Sequence, residues 1–149
     1  MTTTPTRQII PHLSVRDGAK AIDFYVRAFG AVEEFRLTEP GGRLGHAELT
    51  VGGARFMLAD EYPEYDSVGP DTLRGTTVAF SLSVDDVDAT AARAVECGAT
   101  LLRPIKDEFY GERVAHIRDP FGHKWNLTRL IEHITPDEMK RRFDAMMAG

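Results

Sequence analysis

The sequence predicts an α+β fold built from two tandem βαβββ modules, followed by a C-terminal helix. Three observations predict it. A strand pattern, an amphipathic helix pattern and three further strand patterns occur in that order twice. Paired features recur at one separation: Ser14-Val15 as Ser83-Val84, Asp17 as Asp86, Gly42 as Gly111, Gly53 as Gly122 and Phe56 as Trp125, each 69 positions on. Glycine-rich hairpin signals join strand patterns of the first module. A fixed offset across strand, turn and strand indicates duplication, against the alternative of two unrelated hairpin-rich segments of similar composition.

The elements follow in order. IIPHLSV (9–15) reads as a strand. DGAKAIDFYVRAFG carries Ala19, Ile22, Tyr25, Val26 and Phe29 on one helical stripe, with Asp17 as N-cap and Gly30 as stop. VEEFRLTE (32–39), GHAELTVG (45–52) and ARFMLAD (54–60) are strands joined by Pro-Gly-Gly and Gly52-Gly53. EYPEYDSVGPDTLRGT (61–76) is turn-rich and reads as a linker or mobile loop. TVAFSLSV (77–84) is a strand, and a helix capped by Asp85 or Asp86 follows. TLLRPI, the stretch around GERVAHIR, and HKWNLTRL supply the last three strands. The modules are thus 8–60 and 77–131, within a single domain. A helical arm over 135–147 starts at Thr135, with Pro136 in its first turn and Glu138 completing a capping box. Its Met139, Phe143 and Met146 or Met147 form a narrow apolar stripe, for its own subunit or for a partner chain.

Composition excludes several classes. The 149 residues carry a net charge of −5, which gives no basic field for nucleic acid or an anionic membrane. No apolar run approaches the ~20 residues of a membrane span, and the first residues lack a signal-peptide core, so the expected location is cytoplasmic. The single cysteine, Cys97, reads as a small core residue rather than a nucleophile.

One helix per module leaves each set of strands with a covered face and a free face. Strand alternation sends Ile9, Leu13, Val15, Phe56, Leu58, Val78, Phe80, Leu82, Val84, Trp125 and Leu127 to the helix. The other parity holds His12, Ser14, His46, Glu48, Met57, Ala79, Ser81, Lys124 and Asn126. A curled mixed sheet with this half-polar face concave makes a cleft for a small molecule.

SVRDGAKAIDFYVRAFGA at the start of one module and RDPFGHKWNL at the end of the other resemble the vicinal oxygen chelate superfamily, which includes glyoxalase, bleomycin-resistance proteins and dioxygenases. HAEL, MLADE, FYGER and DPFGHKW are most similar to its PhnB-like branch. The resemblance covers about 8 to 131 and implies the glyoxalase/bleomycin-resistance fold. It also implies four metal-ligand positions, which fall on Ile10, Met57, Ala79 and Asn126. Three of these side chains offer no usable donor, so the expectation is no metal there, and Asn126 serves as a hydrogen-bonding group for a ligand. A displaced divalent metal centre at His46 and Glu48, with His12 or His116, is the alternative. For His46 and Glu48 a mutual hydrogen-bonded pair and contact with a ligand both remain open.

The expected function is capture of a small organic molecule, an antibiotic or toxic metabolite after the bleomycin-resistance model. The resemblance also implies a homodimer. His12, His46, Glu48, Phe56, Met57, Tyr110, Arg113 and Asn126 are the candidate ligand contacts, with Phe35 a further aromatic. The alternative is a metal-dependent lyase or dioxygenase at the displaced site. A metal-free enzyme with Glu48 as base is a third class.

Overall fold

The computed structural model describes residues 7–149, which divide after Gly75 into two compact units. In the first, β1 (His12–Val15), α1 (Gly18–Phe29), β2 (Val32–Thr38), β3 (Leu44–Val51) and β4 (Ala54–Asp60) form the expected module. Its sheet has the order β1-β4-β3-β2, with β1 parallel to β4 and the other pairs antiparallel. The Asp17 carboxylate accepts the Lys20 N–H, and Gly30 ends the helix in the left-handed conformation. Ala21, Ile22, Phe24, Tyr25, Ala28 and Phe29 line the helix's buried face. Tyr25 meets Phe56 edge-on at 5.4 Å between ring centroids, above buried Leu13, Val15, Leu49 and Leu58. Each large apolar side chain taken from water here contributes roughly 1.5–3 kcal/mol.

The second unit repeats the order as β5 (Ala79–Ser83), α3 (Val87–Glu96), β6 (Thr100–Leu101), β7 (Lys106–Asp107), β8 (Glu112–Arg118) and β9 (Lys124–Leu130). Asp86, not Asp85, is the cap of α3, accepting the Ala89 N–H. The sheet runs β5-β9-β8-β6, with β7 also on β8. The expected TLLRPI strand survives only as β6, because Pro104 has no N–H to donate to a ladder. The strands hydrogen-bond as two mixed sheets, of four and five strands, rather than as one.

Two assignments to the buried face fail at strand ends. Ile9 precedes β1 and is 96% exposed, and Val78 precedes β5 and is 52% exposed. Alternation holds only where a neighbouring strand fixes the pleat.

Residues 61–75 of the expected linker are folded onto the first unit. Glu61 accepts the Gly69 N–H at 2.8 Å and the Thr72 hydroxyl at 2.6 Å, and Ser67 Oγ lies 2.8 Å from Ser14 Oγ. A short α2 (Pro70–Leu73) completes it. The neighbouring acidic residues are structural too. Asp60 accepts the backbone N–H groups of Gly18 and Leu44, and Glu64 pairs with Arg43 at 3.0 Å.

The Asp-Pro-Phe-Gly turn before β9 is built on a buried carboxylate. Asp119, 3% exposed, accepts the Phe121 N–H at 2.9 Å, the His123 N–H at 3.1 Å and the Trp125 indole N–H at 2.9 Å. This set fixes both the turn and the inward face of β9.

The last helix, α4 (Pro136–Ala148), is capped by the Thr135 hydroxyl, which accepts the Glu138 N–H. The second half of the expected capping box is replaced, since the Glu138 carboxylate accepts from Arg141 and Arg142. Arg142 also donates to the Phe109 carbonyl at 3.0 Å, and Phe143 lies 5.9 Å from the Phe109 ring. Met146 and Met147 remain exposed. No helix among the described residues is long and apolar enough to cross a membrane.

Candidate functional site

The register of β8 and β9 determines what faces outward in the second unit. Ile117 pairs with Trp125 and Ala115 with Leu127, all buried on the helix side. The alternate pairs, His116 with Asn126 and Arg118 with Lys124, therefore lie on the other face. On the far side of β9, Ser81 is the partner of Asn126 and Ala79 the partner of Lys124.

His116 Nδ1 and Asn126 Oδ1 are 2.8 Å apart. An amide oxygen can only accept, so Nδ1 carries the hydrogen and a neutral ring keeps its acceptor at Nε2. Asn126 keeps both amide hydrogens. The Leu102 N–H donates to the His116 carbonyl at 2.8 Å, which brings Leu102 and Arg103 beside the pair. Thr76, Thr77 and Val78, from the segment entering β5, close another side, and Lys124 and Ala79 complete a cavity of about 270 Å³. It offers hydroxyl and amide donors, one imidazole acceptor, two cationic side chains and a small apolar wall.

The first unit's free face brings several other candidates together. The His12 and His46 rings stack with centroids 6.0 Å apart, and Phe35 lies 5.7 Å from His46. His46 Nε2 is 3.5 Å from Glu48 Oε2, and Arg55 pairs with the same carboxylate at 3.2 Å. A carboxylate held by a guanidinium is poorly placed to act as a free base or metal ligand. The 3.5 Å approach of His46 to Glu48 is an ion-pair distance when the ring is protonated. Partial burial, then the neighbouring His46, lowers the His12 pKa from 6.5. Met57 is the Cα partner of both His12 and Glu48.

Three candidates have other work. Phe56 packs under α1. Arg113 binds Asp88 through two nitrogens at 2.8 and 2.9 Å, and Asp107 at 2.9 Å. Tyr110 packs edge-on against Phe109, and burial followed by Glu108 and Glu112 raises its pKa. Missing from the sequence reading were Arg103, Thr76, Thr77 and the partnership of His116 with Asn126. Lys124 shared Asn126's parity and was legible as a neighbour; Arg103 sits past a two-residue strand, where no periodicity operates.

The four family positions do not fit a metal. Ile10 precedes β1, and the partner that β1 offers Met57 is His12. Ala79 carries no donor and pairs with Lys124, the partner that β5 offers Asn126 is Ser81, and the Asn126 oxygen is occupied by His116. Among the described residues no three His, Cys, Asp or Glu side chains are grouped to hold an ion.

Known proteins match this architecture. The chain is 44% identical over 142 residues to uncharacterized protein Mb0911c of Mycobacterium bovis, covering 93% of each. TioX from Micromonospora sp. ML1 is similar in structure, with 28% identity, a TM-score of 0.64 and coverage of 87% of this chain and 100% of that one. The Arabidopsis thaliana At5g48480 product has 26% identity, a TM-score of 0.67 and coverage of 83% and 98%. The family model described as Glyoxalase/Bleomycin resistance protein/Dioxygenase superfamily matches residues 8–127, and with the duplicated βαβββ module this establishes that the chain belongs to that superfamily.

Proposed function

We propose that the protein binds a small organic molecule at the cavity around His116 and Asn126, without a metal ion. The observation that carries this reading is the 2.8 Å pairing of His116 with Asn126 inside a lined cavity. It occupies the one amide among the four family positions and leaves a donor and an acceptor side by side for a ligand. Capture of an antibiotic or toxic metabolite needs nothing more than such complementary groups, and a second copy of the chain as partner is consistent with this reading.

A fragment screen by thermal shift and amide NMR tests it. Ligands are expected to move the resonances of His116, Asn126 and Ala79, and Ala79→Phe, which fills the cavity from an exposed position, is expected to abolish those shifts while the fold persists. A ligand present at a hundredfold excess over Kd would add about 2.7 kcal/mol to stability. Ligand shifts confined to other surfaces would end the proposal.

The rival, a divalent metal at His46 and Glu48, is separated by elemental analysis. Stoichiometric metal that disappears in both His46→Ala and Glu48→Ala would replace the binding reading with a metal-dependent enzyme.

A further inference from the structure

Resting on the cavity reading above, we infer that its ligand carries an oxyanion, a carboxylate or a phosphoryl or phosphonyl group, held between Arg103 and Lys124. The argument begins with charge. The chain has a net charge of −5, and most of its cations sit against carboxylates: Arg113 between Asp88 and Asp107, Arg43 between Glu39 and Glu64, Arg142 between Glu132 and Glu138. Arg103 and Lys124 form no ion pair among the described residues, and both line one cavity. No carboxylate lines that cavity. Two cations without an acid in a shared hollow make a local positive site on an acidic protein.

The neutral groups agree with that sign. Thr76 and Thr77 offer hydroxyl hydrogens, and Asn126 offers its amide hydrogens because its oxygen is engaged by His116. An oxyanion has several lone pairs and no hydrogen, so it accepts from all of these. His116 Nε2 in the neutral ring accepts without donating, which suits a hydroxyl or N–H on the organic part of the same molecule. The planar Arg103 guanidinium suits a two-oxygen face, and the Lys124 ammonium serves as a point charge. The register explains why both arrive together. Lys124 lies two residues before Asn126 on the same face of β9, and the Leu102 N–H bond to the His116 carbonyl holds Arg103 at the other side.

The test uses benzoate and phenylphosphonate against benzamide, a neutral molecule of nearly the same shape as benzoate, titrated into isotope-labelled protein at low ionic strength. The two anions are expected to shift the signals of Lys124, His116 and Asn126 and to bind at least about threefold more tightly than benzamide. Arg103→Gln and Lys124→Gln should each weaken the anions by about threefold to tenfold, leaving benzamide and the melting temperature unaltered. Salt raised to about 0.5 M should remove most of the difference, because exposed charges are screened over a few ångströms there. The stronger of the two anions assigns carboxylate or phosphoryl preference. Equal binding of benzamide at the same residues would overturn the anion assignment and keep the cavity. Shifts at none of these residues with any probe would overturn both.

Discussion

His116 and Asn126 face each other across an antiparallel pair, with imidazole Nδ1 2.8 Å from amide Oδ1. The contact selects one tautomer of the ring. Long-range proton–nitrogen correlation spectra should show His116 protonated at Nδ1 when neutral. In Asn126→Leu the ring should revert to a mixture dominated by the Nε2–H form. A wild-type ring already protonated at Nε2 would mean that the pair does not form in solution.

Asp119 and Trp125 carry a different weight, in stability rather than binding. Trp125→Phe removes the indole N–H from a buried carboxylate oxygen, and a loss of about 1–3 kcal/mol is expected in denaturant unfolding. Asp119→Ala removes the acceptor for two backbone N–H groups and the indole together, and should cost more. The double variant should lose less than the sum, because both singles break the same bond. Strict additivity would show the two residues to be independent.

The repeat supplies a controlled pair of glycines. Gly42 and Gly111 occupy equivalent turns with φ of 99° and 91°. A Cβ at Gly42 meets nothing within 4 Å, whereas one at Gly111 collides with the Glu132 carbonyl oxygen. Gly42→Ala is expected to cost about 1 kcal/mol from backbone strain alone. Gly111→Ala should cost clearly more, since its carbonyl also accepts the Ile131 and Glu132 N–H groups. Equal melting temperatures for the two variants would contradict the collision.

His12 gives the first unit a pH dependence of definite sign. Its folded-state pKa lies below 6.5, so between that lower value and 6.5 the unfolded chain binds more protons than the folded one. The contribution is present above 6.5 and lost as pH falls through the folded value. Wild-type protein should therefore lose more thermal stability than His12→Gln on going from about pH 7 to about pH 5. In His46→Asn the His12 titration should move up without reaching 6.5, since burial is the larger cause. A steeper loss in His12→Gln would reverse the assignment.

The architecture was readable because it depends on period and spacing. The 69-residue offset, the Asp17 and Asp86 caps and the inward run of Trp125 and Leu127 are local or repetitive signals, and they reappear in both sheets. Asn126 was legible as a polar residue facing away from the helix for the same reason. The role of Asp119 was hidden, because no pattern of apolar residues marks a carboxylate that folds back on its own turn. Phe56 and Arg113 looked like ligand contacts only until their partners, Tyr25 and the pair Asp88 and Asp107, were known. His46 and Glu48 sit two apart on one strand face, and their tips converge to 3.5 Å. Tertiary partners, not residue types, decided which polar groups were left over.

The buried turn at Asp119 also sets how the two halves can be exchanged. At the matching places the first half carries Thr50 and Phe56, and the Thr50 hydroxyl donates sideways to Glu34 instead. A chimera that transplants Trp125 alone would bring an indole hydrogen with no oxygen waiting for it. One that transplants Asp119 alone would bring a charge short of one of its donors. The two side chains transfer only together, because the other donors to the carboxylate are backbone N–H groups. An exchange between the halves therefore has to carry Asp119 and Trp125 as a pair.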